Sequence, residues 1–346
     1  MPVTIKDIAK VAGVSHTTVS RALNGNPAIS FETTERIQQL ARQMGYVPSA
    51  VAQSLLSRRT QTIGMVITTI ADPFIVHVVE GAEQVAQEAG YSIFLNTSHN
   101  NPDQEMAVVE TFQRRRVDAI IVTSSRVGSL YSSQLDQIKV PIVLINNQEE
   151  GEFLYSVAVD NFQGAQLATE HLLTLGHRRI GYVGAADRPK SNGQRLEGYA
   201  TALSQAGLTL DPALVISPPA GTDLERGRAS LETLRAEHAT AAFCYNDLTA
   251  IGLLLECHQQ GISVPQELSI IGFDDIEPAL YTTPTLTTIH QPRFKLGQLA
   301  MTMTLKLLDG QAVQDQRLPC KLIVRESTSQ RMTNGESQIA NLKSKI

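Results

Sequence analysis

From residue 61 onward the sequence returns repeatedly to short apolar runs of strand length, at 63–67, 92–95, 119–122, 142–145, 180–183, 241–244 and 270–273. They are mostly rich in β-branched residues, as strands buried on both faces are. Between them lie amphipathic stretches of helical period at 74–89, 104–115, 161–175 and 193–206. Strands alternating with helices predict an α/β fold of parallel sheets covered on both faces. Two sets of such units predict two similar lobes, with a break near Asp160 and a crossing back over 288–308. A length of 346 residues leaves room for a smaller unit in front of this body.

That smaller unit differs in charge. The net charge of −5 hides seven basic groups against three acids over residues 1–60, a net of +4, with 22 basic against 31 acidic groups, −9, in the remainder. A basic head on an acidic body points to a polyanion contact at the N-terminus. Caps and periodicity predict three short helices there. Thr4 and Asp7 form a capping-box pattern ahead of Ile5, Ile8, Ala9 and Ala12, with Gly13 as the stop. Ser15 caps a second helix with Val19, Ala22 and Leu23 inward, ended by Asn24-Gly25. Ser30 caps a third with Ile37, Leu40, Ala41 and Met44 inward and Gly45 at its end. Only Gly13 and Val14 separate the first two, so they turn sharply.

Opposite the apolar side of the second helix, His16, Thr17, Ser20, Arg21 and Asn24 share one polar face without an acid. These side chains can exchange hydrogen bonds with base edges, and Arg can bind guanine bidentately. For a single helix, a solvated face is the simpler reading. The tight turn, third helix and basic balance favour DNA. Residues 48–59, PSAVAQSLLSRR, carry an apolar stripe of Val51, Ala52, Leu55 and Leu56. So short a helix needs a partner. It is either a linker packed on the body or a hinge helix that pairs with its copy and presses a leucine into the minor groove.

The segments VTIKDIAKVAGVSHTTVSRALNG and GYVPSAVAQSLLSRRT resemble the head and hinge of the lactose/galactose repressor (LacI/GalR) family, without a gap over about 60 residues. The resemblance implies that the second helix enters the major groove, with His16, Thr17 and Arg21 at base-reading positions. Ser15, Thr18, Ser20 and Asn24 would mainly position the backbone, Thr4 joins the DNA-binding set, and Leu55 falls where the family's minor-groove wedge lies. Leu56 departs from the pattern, since many members have a basic residue there.

In parallel α/β sheets, ligands collect beyond the carboxyl ends of the strands. Those ends are followed here by Asp72 and Phe74, by Thr123, Ser124 and Ser125, by Arg188, Lys190, Ser191, Asn192 and Arg195, by Tyr245, Asn246 and Asp247, and by Asp274 and Asp275. The inventory suits a small polyhydroxylated ligand between lobes. Asp72, Asn246 and the aspartate pair read equally well as helix caps or loop supports. Segments such as PFIVHVVEGAEQVAQEAGY, RLEGY, AAFCYND and GISVPQELSIIGFDD resemble the family's effector-binding core, similar to periplasmic sugar-binding proteins. The resemblance implies effector contacts at Arg195, Asn246 and Asp274, and more loosely at Asp72 and Phe74; Ser125 is added from its strand end. Arg188, Lys190 and Arg195 could favour a phosphorylated or acidic sugar, although Arg188 and Lys190 read more simply as solvated loop charges.

The expected organisation is a helix-turn-helix domain over 1–47, a hinge and linker over 48–60, a two-lobed periplasmic-binding-protein-like core over 61–332, and a disordered tail over 333–346. The expected function is sequence-specific transcriptional regulation, most simply repression, controlled by a small-molecule effector of carbohydrate type. The partners are double-stranded, pseudo-palindromic operator DNA and a second copy in a homodimer. The tail's Ile339, Leu342 and Ile346 span about one heptad, too little for a stable coiled coil. No catalytic residue, cofactor or metal is expected. Phosphate-loop, dinucleotide, zinc-protease and serine-hydrolase motifs are absent. Three scattered cysteines read as reduced, buried thiols. No run is long enough to span a membrane, and the expected compartment is the cytoplasm. The body alone would equally suit a sugar-binding receptor, or an enzyme on the same fold.

Overall fold

The computed structural model describes residues 3–47, 59–127, 140–149, 155–219 and 221–331. The hinge stripe with Leu55 and the tail stripe lie outside the described residues. The chain divides into two compact units, Met1–Thr60 and Gln61–Ile346.

In the first unit, α1 (Ile5–Ala12), α2 (His16–Leu23) and α3 (Phe31–Gln43) enclose Ile8, Ala12, Val19, Ala22, Ile37 and Ala41. Gly13, Gly25 and Gly45 each adopt φ between 65° and 69° after a helix, the left-handed geometry that a side chain disfavours. Arg36 donates to the Ala12 carbonyl at 2.5 Å, tying α3 to the end of α1.

The second unit has two parallel sheets. The first contains β1 (Thr62–Ile67), β2 (Ser92–Thr97), β3 (Ala119–Thr123), β4 (Ile142–Ile145), β5 (Ser156–Val159) and β11 (Gln316–Leu318), in the order β11-β5-β4-β3-β1-β2. The second orders β7 (Val215–Ile216), β6 (Ile180–Val183), β8 (Ala241–Cys244) and β9 (Ser269–Ile271). A small antiparallel pair joins β10 (Thr288–His290) to β12 (Lys321–Ile323). Alternation along β1 shows the layering. Met65 faces one cluster with Val78, Ala82, Leu296 and Met301, whereas Val66 faces another with Val108, Val109 and Phe112. In the second sheet, Tyr182 and Phe243 pack toward Ala165, Ala168 and Tyr199, while Val183 and Cys244 pack toward Leu231, Leu253 and Cys257. Each fully buried large aliphatic contributes about 1.5–3 kcal/mol.

Glycines set how closely the covering helices approach. Where α4 (Pro73–Glu88) crosses α10 (Arg293–Leu308), a Cβ on Gly81 would lie 2.0 Å from the Phe294 carbonyl oxygen, and one on Gly297 would lie 1.9 Å from that of Val78. The crossing of α8 (Asp223–Ala236) and α9 (Asp247–Gln259) repeats the device, with Gly227 against Thr249 and Gly252 against Leu224. The obstructing atoms are backbone and cannot swing away. Gly297→Ala is therefore expected to cost about 3 kcal/mol by overpacking, read as a lower urea midpoint; an unchanged midpoint would refute the constraint.

Beyond α5 (Pro102–Arg114), the remaining covering helices α6 (Asn161–Thr174) and α7 (Pro189–Gln205) pack together on the second sheet. The chain enters the second lobe at Asp160, between β5 and α6, and leaves at Gln291–Pro292, between β10 and α10. It crosses once more between β11 and β12, a step that the strand-and-helix periodicity does not contain.

Candidate DNA-reading face and interlobe cleft

The N-cap Ser15 hydroxyl accepts from the Thr18 amide at 3.1 Å and lies 2.9 Å from the Thr18 hydroxyl. Burial of Val19 and Ala22 fixes the roll of α2, leaving His16, Thr17, Arg21 and Asn24 exposed and Ser20 half-buried. Among the described residues the side chains of His16, Thr17 and Arg21 are not engaged within the head, whereas Asn24 donates to the Ser20 carbonyl at 2.9 Å. Thr4 is exposed, but both its amide and its hydroxyl donate to the Asp7 carboxylate, at 2.9 and 2.7 Å. An exposed row of donors and acceptors on a rigid three-helix support is the geometry that reads base edges.

In the second unit the carboxyl ends of both sheets face a cleft of about 550 Å³, counting its open mouth, within the usual range for small-molecule sites. Asp72, Phe74, Arg195, Asn246 and Asp274 all line it. Asp72 caps α4, its Oδ1 accepting from the Phe74 amide at 2.9 Å, and burial raises its pKa above the ordinary value. Asn246 caps α9, accepting from the Thr249 amide at 2.9 Å while its Nδ2 donates to Asp223 at 2.7 Å. The capping and cleft-lining readings of these two residues therefore both hold.

Arg195 is buried across the cleft floor. Its Nε donates to Asn161 Oδ1 at 3.0 Å, another nitrogen donates to the Tyr245 carbonyl, and its guanidinium lies 3.7 Å from the Phe273 ring centroid and 4.4 Å from that of Tyr245. Such stacking favours Arg over Lys. Asp274 accepts from Gln291 Nε2 and lies 3.9 Å from Arg195; burial raises its pKa despite the arginine. Its φ of 127° stores backbone strain beside Asp275 at 56°. Behind them Asp247, pushed up to about 6 by burial, accepts from the Ile276 amide at 2.9 Å and from the Thr288 hydroxyl.

Three sequence readings need correction. Ser125 is not a lining residue; its hydroxyl donates to Glu105 Oε1 at 2.5 Å in the interior, and Ser124, turned by a φ of 50°, lines the cleft instead. Arg188 is no solvated loop charge, because the cap of α7 places it on the cleft wall with its Nε buried. Lys190 is half-buried and donates to the Glu149 carbonyl at 2.9 Å. Asp275 belongs to the frame, with Arg325 donating to its carboxylate at 2.5 Å and His290 2.8 Å away; these bonds outweigh burial and lower its pKa.

The lobes meet beside the cleft. Gln148 Oε1, after β4, accepts from the Ser191 hydroxyl at 2.9 Å, and that hydroxyl lies 2.7 Å from the Tyr245 hydroxyl. Gln148 and Ser191 were within reach of a strand-end search. Gln291 was not, because it follows an antiparallel strand at the lobe crossing.

Residues 4–49 match the model for bacterial regulatory proteins of the lacI family, and residues 169–328 match that for a periplasmic binding protein-like domain. The chain is 33% identical to the HTH-type transcriptional repressor PurR of Erwinia tasmaniensis over 91% of its own length and 93% of the relative's. It belongs to the LacI family of bacterial regulators. The lac repressor dimer bound to operator and the anti-inducer ONPF superposes with a TM-score of 0.82 at 26% identity, covering 95% of this chain and 100% of that one. A LacI-family regulator from Enterococcus faecium with bound ribose gives 0.71 at 29% identity, covering 78% and 100%. This regulator thus combines a helix-turn-helix head with a two-lobed α/β core. Among the described residues no helix is long and apolar enough to cross a membrane, and no group of three or more His, Cys, Asp or Glu is placed to hold a metal.

Proposed function

We propose that this protein is a repressor that grips a pseudo-palindromic operator as a homodimer and changes that grip when a carbohydrate effector occupies the cleft, leaving the effector chemically unchanged. The observation that carries the reading is the exposed, unengaged row of His16, Thr17 and Arg21 in the same chain as a cleft lined by Asp72, Arg195, Asn246 and Asp274. Its relatives are named as repressors, one neighbour is a dimer on operator DNA, and another holds ribose. Two heads related by a two-fold axis require two half-sites related the same way. An effector that binds one lobe arrangement better shifts the population toward it by its differential affinity.

Selection of random duplexes by the full-length protein should enrich an inverted repeat, and anisotropy on that repeat should change when a binding sugar is added and recovered intact. Enrichment of sequences without two-fold symmetry would refute the DNA half. A sugar converted to product would make the protein an enzyme.

A further inference from the structure

Four buried side-chain polar atoms among the described residues have no hydrogen-bond partner, and two of their residues, Arg188 and Gln291, line the cleft. One is a donor, Arg188 Nε; the other is an acceptor, Gln291 Oε1. Gln291 is 1% exposed, and its amide is oriented by donation from Nε2 to Asp274, leaving Oε1 bare. Buried groups of this kind cost stability unless something satisfies them.

The charges on the cleft wall already balance. Asp72 and Asp274 stand against Arg188 and Arg195. Arg195 is within 3.9 Å of Asp274. Burial works against the Arg188 charge, but Tyr245, Asp223 and Asp72 close by more than offset it and raise its pKa. Lys190, the third cation of this loop, is engaged by the Glu149 carbonyl. A phosphate would bring its charge to a wall that holds two carboxylates and no spare cation, so desolvating it would go uncompensated.

We propose that the effector is an uncharged sugar or glycoside that spans the cleft from Arg188 to Gln291, accepting a hydrogen bond from Arg188 Nε and donating a hydroxyl to Gln291 Oε1. This deepens the repressor reading and rests on it. Because Gln291 sits where the chain passes from one lobe to the other, the same hydroxyl ties occupancy to the lobe crossing.

The test is calorimetry on the full-length protein with ribose, glucose, cellobiose and uridine, each paired where possible with its phosphate: ribose 5-phosphate, glucose 6-phosphate and uridine monophosphate. At least one neutral compound should bind, and its phosphate at least about tenfold more weakly. Arg188→Lys, which keeps the charge and loses Nε, should weaken that neutral compound about tenfold without lowering the melting temperature of the unliganded protein. Gln291→Met should remove the penalty for deleting one particular hydroxyl, so that the deoxy sugar and its parent bind the variant alike. A phosphate binding more tightly than its neutral parent would overturn the proposal. So would a fall in melting temperature with sugar affinity intact, which would assign Arg188 to the scaffold. If nothing in either arm binds while the protein still selects an inverted repeat, the carbohydrate reading and the proposal fall together and the DNA reading stands.

Discussion

Replacing Arg21 by Ala is expected to weaken binding to the selected inverted repeat by about 1–3 kcal/mol per half-site, roughly 5- to 150-fold, while binding to random duplex changes little. The guanidinium is on the exposed face of α2, beside His16 and Thr17 and away from the buried Val19 and Ala22. It makes no contact that the head's fold depends on, so the head's melting temperature should not move. Anisotropy titrations at two salt concentrations separate the possibilities. Loss of a base contact leaves the slope of affinity against salt nearly unchanged; loss of a phosphate contact lowers it by about one and weakens every sequence alike. An equal loss on random DNA would move Arg21 from reading bases to holding the backbone.

The head was legible because its signals are local. A cap residue, a left-handed glycine and a three-four apolar spacing occur within one helix, and Ser15, Gly13 and the Val19–Ala22 pair sit where that spacing puts them. The central strands were legible because burial on both faces leaves an unbroken apolar run, as in Ile142–Ile145. The edge strands lack that mark. Gln316–Leu318 is polar and largely exposed, and it becomes a strand only by pairing with Val157, Ala158 and Val159, far away in sequence. The span 288–308 reads from sequence as one crossing segment, but it holds a strand, the crossing at Gln291–Pro292 and a helix docked by Gly297. What fixes those divisions is contact with residues in other parts of the chain.

The cleft followed the same division. Asp72, Arg195, Asn246 and Asp274 could be located because each follows a recognisable strand or sits in a family motif. Choosing Ser125 over Ser124 required knowing that the chain turns through a φ of 50° at Ser124 and sends the next side chain to Glu105. Arg188 looked like a loop charge because sequence does not reveal that this loop folds inward beneath Tyr245 and Asp72. In both cases one backbone turn decides which of two adjacent polar residues faces the ligand.

Asp274→Asn is expected to leave the operator complex unresponsive to a neutral sugar at concentrations that saturate the response of the unsubstituted protein. Asn is nearly isosteric, and both Asn and Asp tolerate positive φ better than most residues, so the turn at 127° survives. What is lost is the charge that accepts from Gln291 Nε2 and stands 3.9 Å from Arg195. A hydrogen bond from a ligand hydroxyl to a carboxylate contributes about 1.5–3 kcal/mol, so calorimetry should show sugar affinity falling roughly 10- to 150-fold. Asp274→Ala should cost at least as much in binding and also lower stability, since Ala adopts that backbone less readily. Comparing the two separates recognition from folding: the Asn variant loses the ligand with the core intact, whereas the Ala variant loses both. If the Asn variant responds to sugar at unchanged concentrations, Asp274 serves only to brace the lobe crossing, and recognition must rest on Asp72, Asn246 and the arginines.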